Sequence, residues 1–325
     1  MSLSAMRLSA GKLPVLDIGG LASSDLAAQK RVAAELRAVC IDHGFLYISN
    51  HGIHEGLIAA VMDQAKAFFD LPEAQKRKVA KTLSRCNRGW EPMLAQSLDP
   101  TAPPDLKENF YIGLELAEDH PAVQAGRFNH GPNLWPDALP AFRPTMMAYH
   151  AAMRILGERL MTGLALSLDL PPDHFDALHR DPLSTLRLLH YPPQPAEALE
   201  GQAGAGAHTD FGVLTMLLQD DNGGLQVRAL DGTWIHADPI PGTFVFNIGD
   251  AIARWTNDLY KSTVHRVVNT SGQRRFSIPF FYTGSPDQSL SCLPNCLAPG
   301  EAPKYPPATI EQHMREMYSR THAAA

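Results

Sequence analysis

The sequence predicts an α+β protein with a mainly β core and flanking helices at both ends, on three observations. After residue 180 the chain breaks into short runs rich in β-branched and aromatic residues, separated by Asn-Gly, Asp-Gly and Gly-Asp turns. Before that point, apolar residues recur at helical spacing in two stretches and then in a longer one. With 325 residues, 45% hydrophobic and 19% charged, the chain can close one large core and fold as a single compact unit.

Each element has its own signal. "LPVLDIGGL" reads as a strand ended by glycines, and residues 25–42 as an amphipathic helix burying Leu26, Val32, Leu36 and Val39. "GFLYISNHGI" is a strand and turn. A second helix over about 54–69 carries Leu57, Ile58, Val61, Ala65 and Phe68 on one side and is closed by "DLP". Residues 84–140, rich in Pro, Gly and Asn with pieces such as "NFYIG", suit long loops over a site more than a linker. Residues 1–140 therefore form an N-terminal region of helices and short strands that packs on the core. Residues 141–180 hold a long supporting helix whose Met, Leu and Ile stripe fits core packing.

The core itself spans 181–285, through "STLRLLHYPP", "VLTMLLQ", "GLQVRAL", "TWIHA", "GTFVFNIG", "STVHRVVN" and "RRFSIPFFY". Such evenly spaced strands predict a closed or sandwiched antiparallel sheet. "DDNGGLQV" predicts a hairpin, because Asn-Gly takes the positive φ of a two-residue loop. Residues 286–325 read as a loop and an amphipathic helix, "TIEQHMREMYSRT".

Composition removes several function classes. A net charge of −6 without any Lys/Arg block argues against nucleic acid. No apolar stretch reaches the roughly 20 residues that span a bilayer, and the first dozen residues lack a signal-peptide core. The expected setting is the cytoplasm, with a small-molecule substrate, no membrane and no obligate protein partner. Cys40, Cys86, Cys292 and Cys296 are too scattered for a disulfide framework, which fits a reducing compartment. Cys292 and Cys296 have no second ligand pair nearby and read as free thiols.

Chemistry concentrates in three motifs. In "GAHTDFG", His208 and Asp210 lie two apart and share one face of an extended segment. A second His-x-Asp pair, His236 and Asp238, falls between a tryptophan and "PIPG" in what reads as a surface-facing hairpin strand, and is set aside. His265, in "KSTVHRVVN", lies on a later strand that can return to the same mouth. Two imidazoles and a carboxylate on one face of an ion leave the other face open for cosubstrate and O2, and nitrogen and oxygen donors without thiolate suit Fe(II). Arg275 and Ser277 in "RRFSIPFF" again share a face, a guanidinium fork and a hydroxyl that make a carboxylate clamp, while Phe276 and Ile278 enter the other layer. In "LRLLHYPP", Tyr191 can add a phenol to the same acid and Arg187 a second positive charge; core packing before the Pro-Pro stop explains Tyr191 equally well.

The run from "GAHTDFGVLTMLLQDDNGGLQV" through "YKSTVHRVVN" to "RRFSIPFFY" resembles the catalytic core of the isopenicillin N synthase-like 2-oxoglutarate/Fe(II)-dependent dioxygenases. "LPVLDIGGL", "DHGFLYISNHGI", "RGWEP" and "PDLKENFYIG" are similar to that family's N-terminal half, so the likeness covers nearly the whole chain. It implies a double-stranded β-helix (jelly roll) core, His208, Asp210 and His265 as iron ligands, and Arg275 with Ser277 on the distal carboxylate of 2-oxoglutarate. Tyr191 matches a position that often touches the cosubstrate, Arg187 matches an arginine that lies near the cosubstrate or the substrate in some bacterial relatives, and Leu189 stands where plant members carry an asparagine that helps bind the oxoacid. The implied activity uses Fe(II), 2-oxoglutarate and O2 to hydroxylate a small molecule, releasing succinate and CO2. Phe211, Trp90, Met93, Asn109, Tyr111 and Phe281 come from segments that border the metal in that family and form the expected substrate pocket. An anionic substrate follows if Arg187 faces that pocket. Other readings stay open: a same-fold Fe(II) oxidase without 2-oxoglutarate, an ethylene-forming or uncoupled oxoacid oxidase, and a non-catalytic jelly roll that binds a small acid.

Overall fold

The computed structural model describes residues 13–99, 101–193 and 202–321. The first dozen residues, and with them the reading that they hold no signal peptide, lie outside the described residues. Twelve strands are described: β1 (Val15–Asp17), β2 (Phe45–Ser49), β3 (Gly89–Glu91), β4 (Glu108–Gly113), β5 (Leu183–Tyr191), β6 (Ala205–His208), β7 (Leu214–Gln219), β8 (Leu225–Arg228), β9 (Trp234–His236), β10 (Phe244–Ile248), β11 (His265–Val267) and β12 (Arg275–Gly284). The helices are α1 (Leu26–Asp42), α2 (Glu55–Phe69), single-turn α3 (Glu73–Lys76) and α4 (Pro121–Gln124), α5 (Phe142–Ser167), α6 (Asp250–Trp255) and α7 (Ile310–Thr321).

The strands form an eight-stranded sheet, β1-β2-β10-β7-β12-β5-β4-β3, and a four-stranded sheet, β6-β11-β8-β9. From β5 onward the chain passes repeatedly from one sheet to the other, which is the winding of a double-stranded β-helix. The N-terminal region does more than pack on this core, because β2 pairs with β10 and β4 with β5 and so widens the larger sheet at both edges.

Alternation along the strands sorts side chains into two cores. Leu186, Leu188, Met216, Phe246, Ile278 and Phe280 face a large apolar layer covered by α1, α2 and α5. Tyr191, Leu189, Val245, Val227 and Val267 face a smaller cluster enclosed between the sheets. The long helix α5 buries Met146, Met153, Leu156, Leu160 and Leu164, so its Met and Leu stripe is core. At Gly157 a Cβ would come within 2.7 Å of the Tyr282 ring, so glycine lets the helix approach β12.

Three elements depart from the sequence reading. "DDNGG" is a crossover, since β7 belongs to the larger sheet and β8 to the smaller. Its positive φ values fall on Gly223 and Gly224, and a Cβ on Gly224 would meet the Val268 carbonyl at 2.8 Å. Leu26 is exposed, because it opens α1 ahead of the buried Val32, Ala33, Leu36 and Cys40. Helix α6 follows β10 within a stretch read only as a strand and its turn.

A buried polar knot fastens the N-terminal strands to the core. Glu108 accepts from Lys76 Nζ and Trp90 Nε1, each at 2.8 Å, through one oxygen, and meets His190 Nδ1 at 2.8 Å through the other. Burial alone would raise its pKa, but the bonds from His190, Lys76 and Trp90 hold the carboxyl below the usual range. Its stabilisation is therefore present above the ordinary carboxylate pKa and fades as pH falls through the depressed folded value. Glu108→Ala leaves a buried lysine without its partner and should lower stability by about 3–5 kcal/mol. Urea denaturation checks this, and a loss below about 1 kcal/mol would make the pair no stronger than a surface one.

Candidate active site

His208 ends β6 and His265 opens β11, and the two are direct cross-strand partners with ring centroids 4.3 Å apart. Asp210 follows in the turn after β6. That turn is held from the far side, where Asp250 N–H donates to the Asp210 carbonyl at 2.8 Å and Ala251 N–H to the Gly212 carbonyl at 3.1 Å. A Cβ on Gly249 would lie 2.2 Å from the Gly212 carbonyl, so only glycine permits this approach. The start of α6 thus sets where Asp210 stands.

Hydrogen bonds decide which atoms remain available. His208 Nδ1 meets the Gly206 carbonyl at 2.7 Å and His265 Nδ1 the Thr263 carbonyl at 3.1 Å, which leaves both Nε2 atoms as lone-pair donors. Asp210 Oδ2 accepts from Thr215 at 2.6 Å and Asn247 at 2.7 Å, leaving Oδ1. Oδ1 lies 4.0 Å from His208 Nε2 and 3.8 Å from His265 Nε2. Among the described residues this is the group of His, Cys, Asp and Glu side chains placed to share an ion. The donors suit ferrous iron: two imidazole nitrogens, one carboxylate oxygen and no thiolate. Burial and the neighbouring His265 push the His208 pKa down to about 3, so its ring is neutral and able to ligate. Burial opposes ionisation of Asp210, but His265, His208, Asn247 and Thr215 hold its carboxyl below the ordinary range.

From this trio a cavity of about 60 Å3 runs between the sheets to Tyr191, Arg275 and Ser277. Arg275 is fully buried and sits over the Tyr191 ring at 4.9 Å. Its Nε donates to the Gly223 carbonyl, Nη1 to Ser277 Oγ at 3.0 Å and Nη2 to Gln219 at 3.0 Å, and among the described residues no carboxylate pairs with it. A buried guanidinium held by neutral acceptors is ready for an incoming acid.

Residues 13–138 match the family described as non-haem dioxygenase in morphine synthesis, N-terminal, and residues 182–284 the 2OG-Fe(II) oxygenase superfamily. The 2-oxoglutarate-Fe(II) type oxidoreductase hxnY of Emericella nidulans is 44% identical over 96% of this chain and 91% of its own length. The chain belongs to the 2-oxoglutarate/Fe(II)-dependent dioxygenases. It is accordingly an oxidoreductase that uses Fe(II), 2-oxoglutarate and O2. Homoarginine-6-hydroxylase of Glycine max is 35% identical over 86% of this chain and 88% of its own. Among solved structures, a full-length Neurospora crassa protein in complex with alpha-KG superposes with a TM-score of 0.83 at 31% identity, covering 96% of this chain and 98% of that one.

On its other side the trio of the dioxygenase opens into a cavity of about 400 Å3. Phe211, Tyr111 and Phe281 line it, and Arg187 lines both cavities. Trp90, Met93 and Asn109, expected in the same pocket, do not reach it. Trp90 turns into the Glu108 knot, Asn109 donates to Glu91 at 3.0 Å, and Met93 falls in the turn after β3. Sequence reasoning missed Arg88, Gln96, Met314 and Tyr318, which contribute to the lining, the last two from α7. It also missed Thr215 and Asn247, whose signal is a polar residue breaking an apolar strand, "VLTMLLQ" and "FVFNIG". His236 and Asp238 lie exposed at the β8–β9 hairpin, away from the trio.

Removing an outer hydrogen bond to a metal ligand weakens metal binding about 10–100-fold. Asn247→Ala should therefore weaken anaerobic Fe(II) binding by about that factor, read by titration with a metal-sensitive dye. Unchanged affinity would show that Asn247 does not orient Asp210.

Proposed function

We propose that His208 Nε2, Asp210 Oδ1 and His265 Nε2 hold the ferrous ion, and that Arg275 and Ser277, with Tyr191 beside them, bind the distal carboxylate of 2-oxoglutarate. The reaction is hydroxylation of a small molecule held in the larger cavity, with succinate and CO2 released. The observation that carries this reading is one-sidedness: three donors on one flank of a point from which one cavity leads to a bare buried arginine and another to an aromatic-lined chamber. Bound iron supplies the redox chemistry that couples oxidation of the oxoacid to that of the substrate.

The chain's own residues bind, orient and exclude water. Thr215 and Asn247 fix the carboxylate of Asp210, and the Gly206 and Thr263 carbonyls fix the tautomers of the two histidines. Tyr191 and Arg275, both buried, keep the cosubstrate end dry. The order of the His-x-Asp, His and Arg-x-Ser motifs supports the isopenicillin N synthase-like branch, and the alpha-KG complex of the Neurospora crassa protein supports an oxoacid cosubstrate over an oxidase that dispenses with it. Four free thiols, two of them buried, fit a cytoplasmic enzyme.

Succinate release by the purified protein with Fe(II) and 2-oxoglutarate tests the activity directly. His208→Ala should lose iron binding and succinate formation by more than about 100-fold. Arg275→Gln removes one partner of a buried charge pair, a loss of about 2–5 kcal/mol, and should raise KM for 2-oxoglutarate at least about 25-fold. Stoichiometric iron in His208→Ala would contradict the assignment.

A further inference from the structure

We infer that the substrate is a small organic acid whose carboxylate is bound between Arg88 and Arg187, at the end of the larger cavity away from the cosubstrate clamp; this rests on the site assignment above. The interior faces of β5 and β12 form a ruled axis. At one end Arg275 pairs in register with Tyr191, and Phe281 pairs with Thr185 further along. Arg187 lies about 13 Å along β5 from Tyr191 by the strand rise, directly opposite Tyr111 of β4. The next pair on that face is Thr185 with Gly113, and the Arg88 guanidinium lies flat on Gly113, where a Cβ would come within 2.1 Å of Nη2. Both guanidinium groups line the cavity that also reaches His208 and Asp210.

Neither arginine makes a salt bridge to a carboxylate among the described residues; Glu91 and Asp105 act on Arg187, and Glu115 on Arg88, only through space. Arg88 donates only to the backbone carbonyls of Cys86, Asn87 and Asn129, and Arg187 to the neutral amide of Gln96. Each keeps a buried Nε without a hydrogen-bond partner. The nearby acids make their direct contacts with other groups: Glu91 with Lys81 at 2.9 Å, Asp105 with the buried Lys107, and Glu115 with Asn133, Trp135 and, at 3.9 Å, Arg143. Asp210, the carboxylate that does line the cavity, directs its oxygens at Thr215, Asn247 and the two histidines. Buried guanidinium groups with no carboxylate in contact and an unused N–H are incompletely satisfied, and an anionic ligand completes them. The bare Arg275 clamp at the other end follows the same logic for the cosubstrate. A carboxylate bound by Arg88 and Arg187 supplies an anion to both guanidinium groups, while Phe211 and Phe281 receive an apolar body directed toward the trio.

Matched probes test this on protein loaded anaerobically with Fe(II) and saturating 2-oxoglutarate: benzoate against benzamide, phenylacetate against phenylacetamide, and hexanoate against hexanamide, by calorimetric titration. At least one acid should bind tenfold or more tightly than its amide, and Arg88→Gln and Arg187→Gln should each abolish that preference. Loading is verified by the visible absorption of the iron–oxoacid chelate, which Arg88→Gln should retain at the wild-type 2-oxoglutarate concentration. If either variant fails to melt cooperatively, the other carries the test. A fully loaded protein that prefers none of the acids, or variants that keep the preference, would overturn the inference while leaving the site assignment standing. Absence of the chelate in the wild-type protein would overturn the site assignment, and this inference with it.

Discussion

The fold and the site both depend on one constraint: strands of the larger sheet must place every second side chain in a helix-covered apolar layer. In β12, Phe276, Ile278, Phe280 and Tyr282 meet that demand, so Arg275, Ser277, Phe281 and Thr283 are turned between the sheets. In β7 and β10 the same phase turns Thr215 and Asn247 inward to meet Asp210. A slip of one residue in any of these strands would bury the polar set in the wrong layer and empty the interior of its chemistry. Core packing therefore fixes the geometry of the site without any strand being devoted to it.

The interior that results carries unusual polarity for its burial. Lys107 with Asp105, Lys76 with Glu108 and Lys81 with Glu91 are buried or nearly buried ion pairs arranged around the strands β3 to β5. These pairs hold loops in place: Asp105 also accepts from Gly206 N–H at 2.9 Å, tying the approach to β4 onto β6 just ahead of His208. Arg275, Arg187 and Arg88 differ from the lysines in making no salt bridge among the described residues. The chamber thus holds lysines in contact with carboxylates and arginines held by neutral acceptors.

Much of this was legible from spacing. A two-residue interval in an extended segment puts His208 with Asp210 and Arg275 with Ser277 on common faces, and polar residues alternating with apolar ones leave little choice of face. The strands and the long α5 helix followed from periodicity and turn residues, as did the exposure of His236. What failed did so where period gives no information. The stretch 84–140 has no sustained pattern, so nothing separated Arg88, which lines the cavity, from Trp90 two positions on, which is locked into the Glu108 knot. Asn109 shares the interior register of Tyr111, yet its amide is taken by Glu91, a partner distant in sequence that local reading does not reveal. The crossover at Gly223 and Gly224 carries the same residues as a hairpin, and only the pairing of the flanking strands tells the two apart.

The central claim is that three side chains from separate stretches meet around one ion on one side only. Anomalous scattering at the iron edge, from crystals grown anaerobically with Fe(II) and 2-oxoglutarate, measures this directly. The account predicts a single strong peak within bonding distance of Nε2 of residues 208 and 265 and of one oxygen of residue 210, with the oxoacid on the opposite flank. A peak elsewhere, or one bonded to fewer than all three side chains, would contradict it.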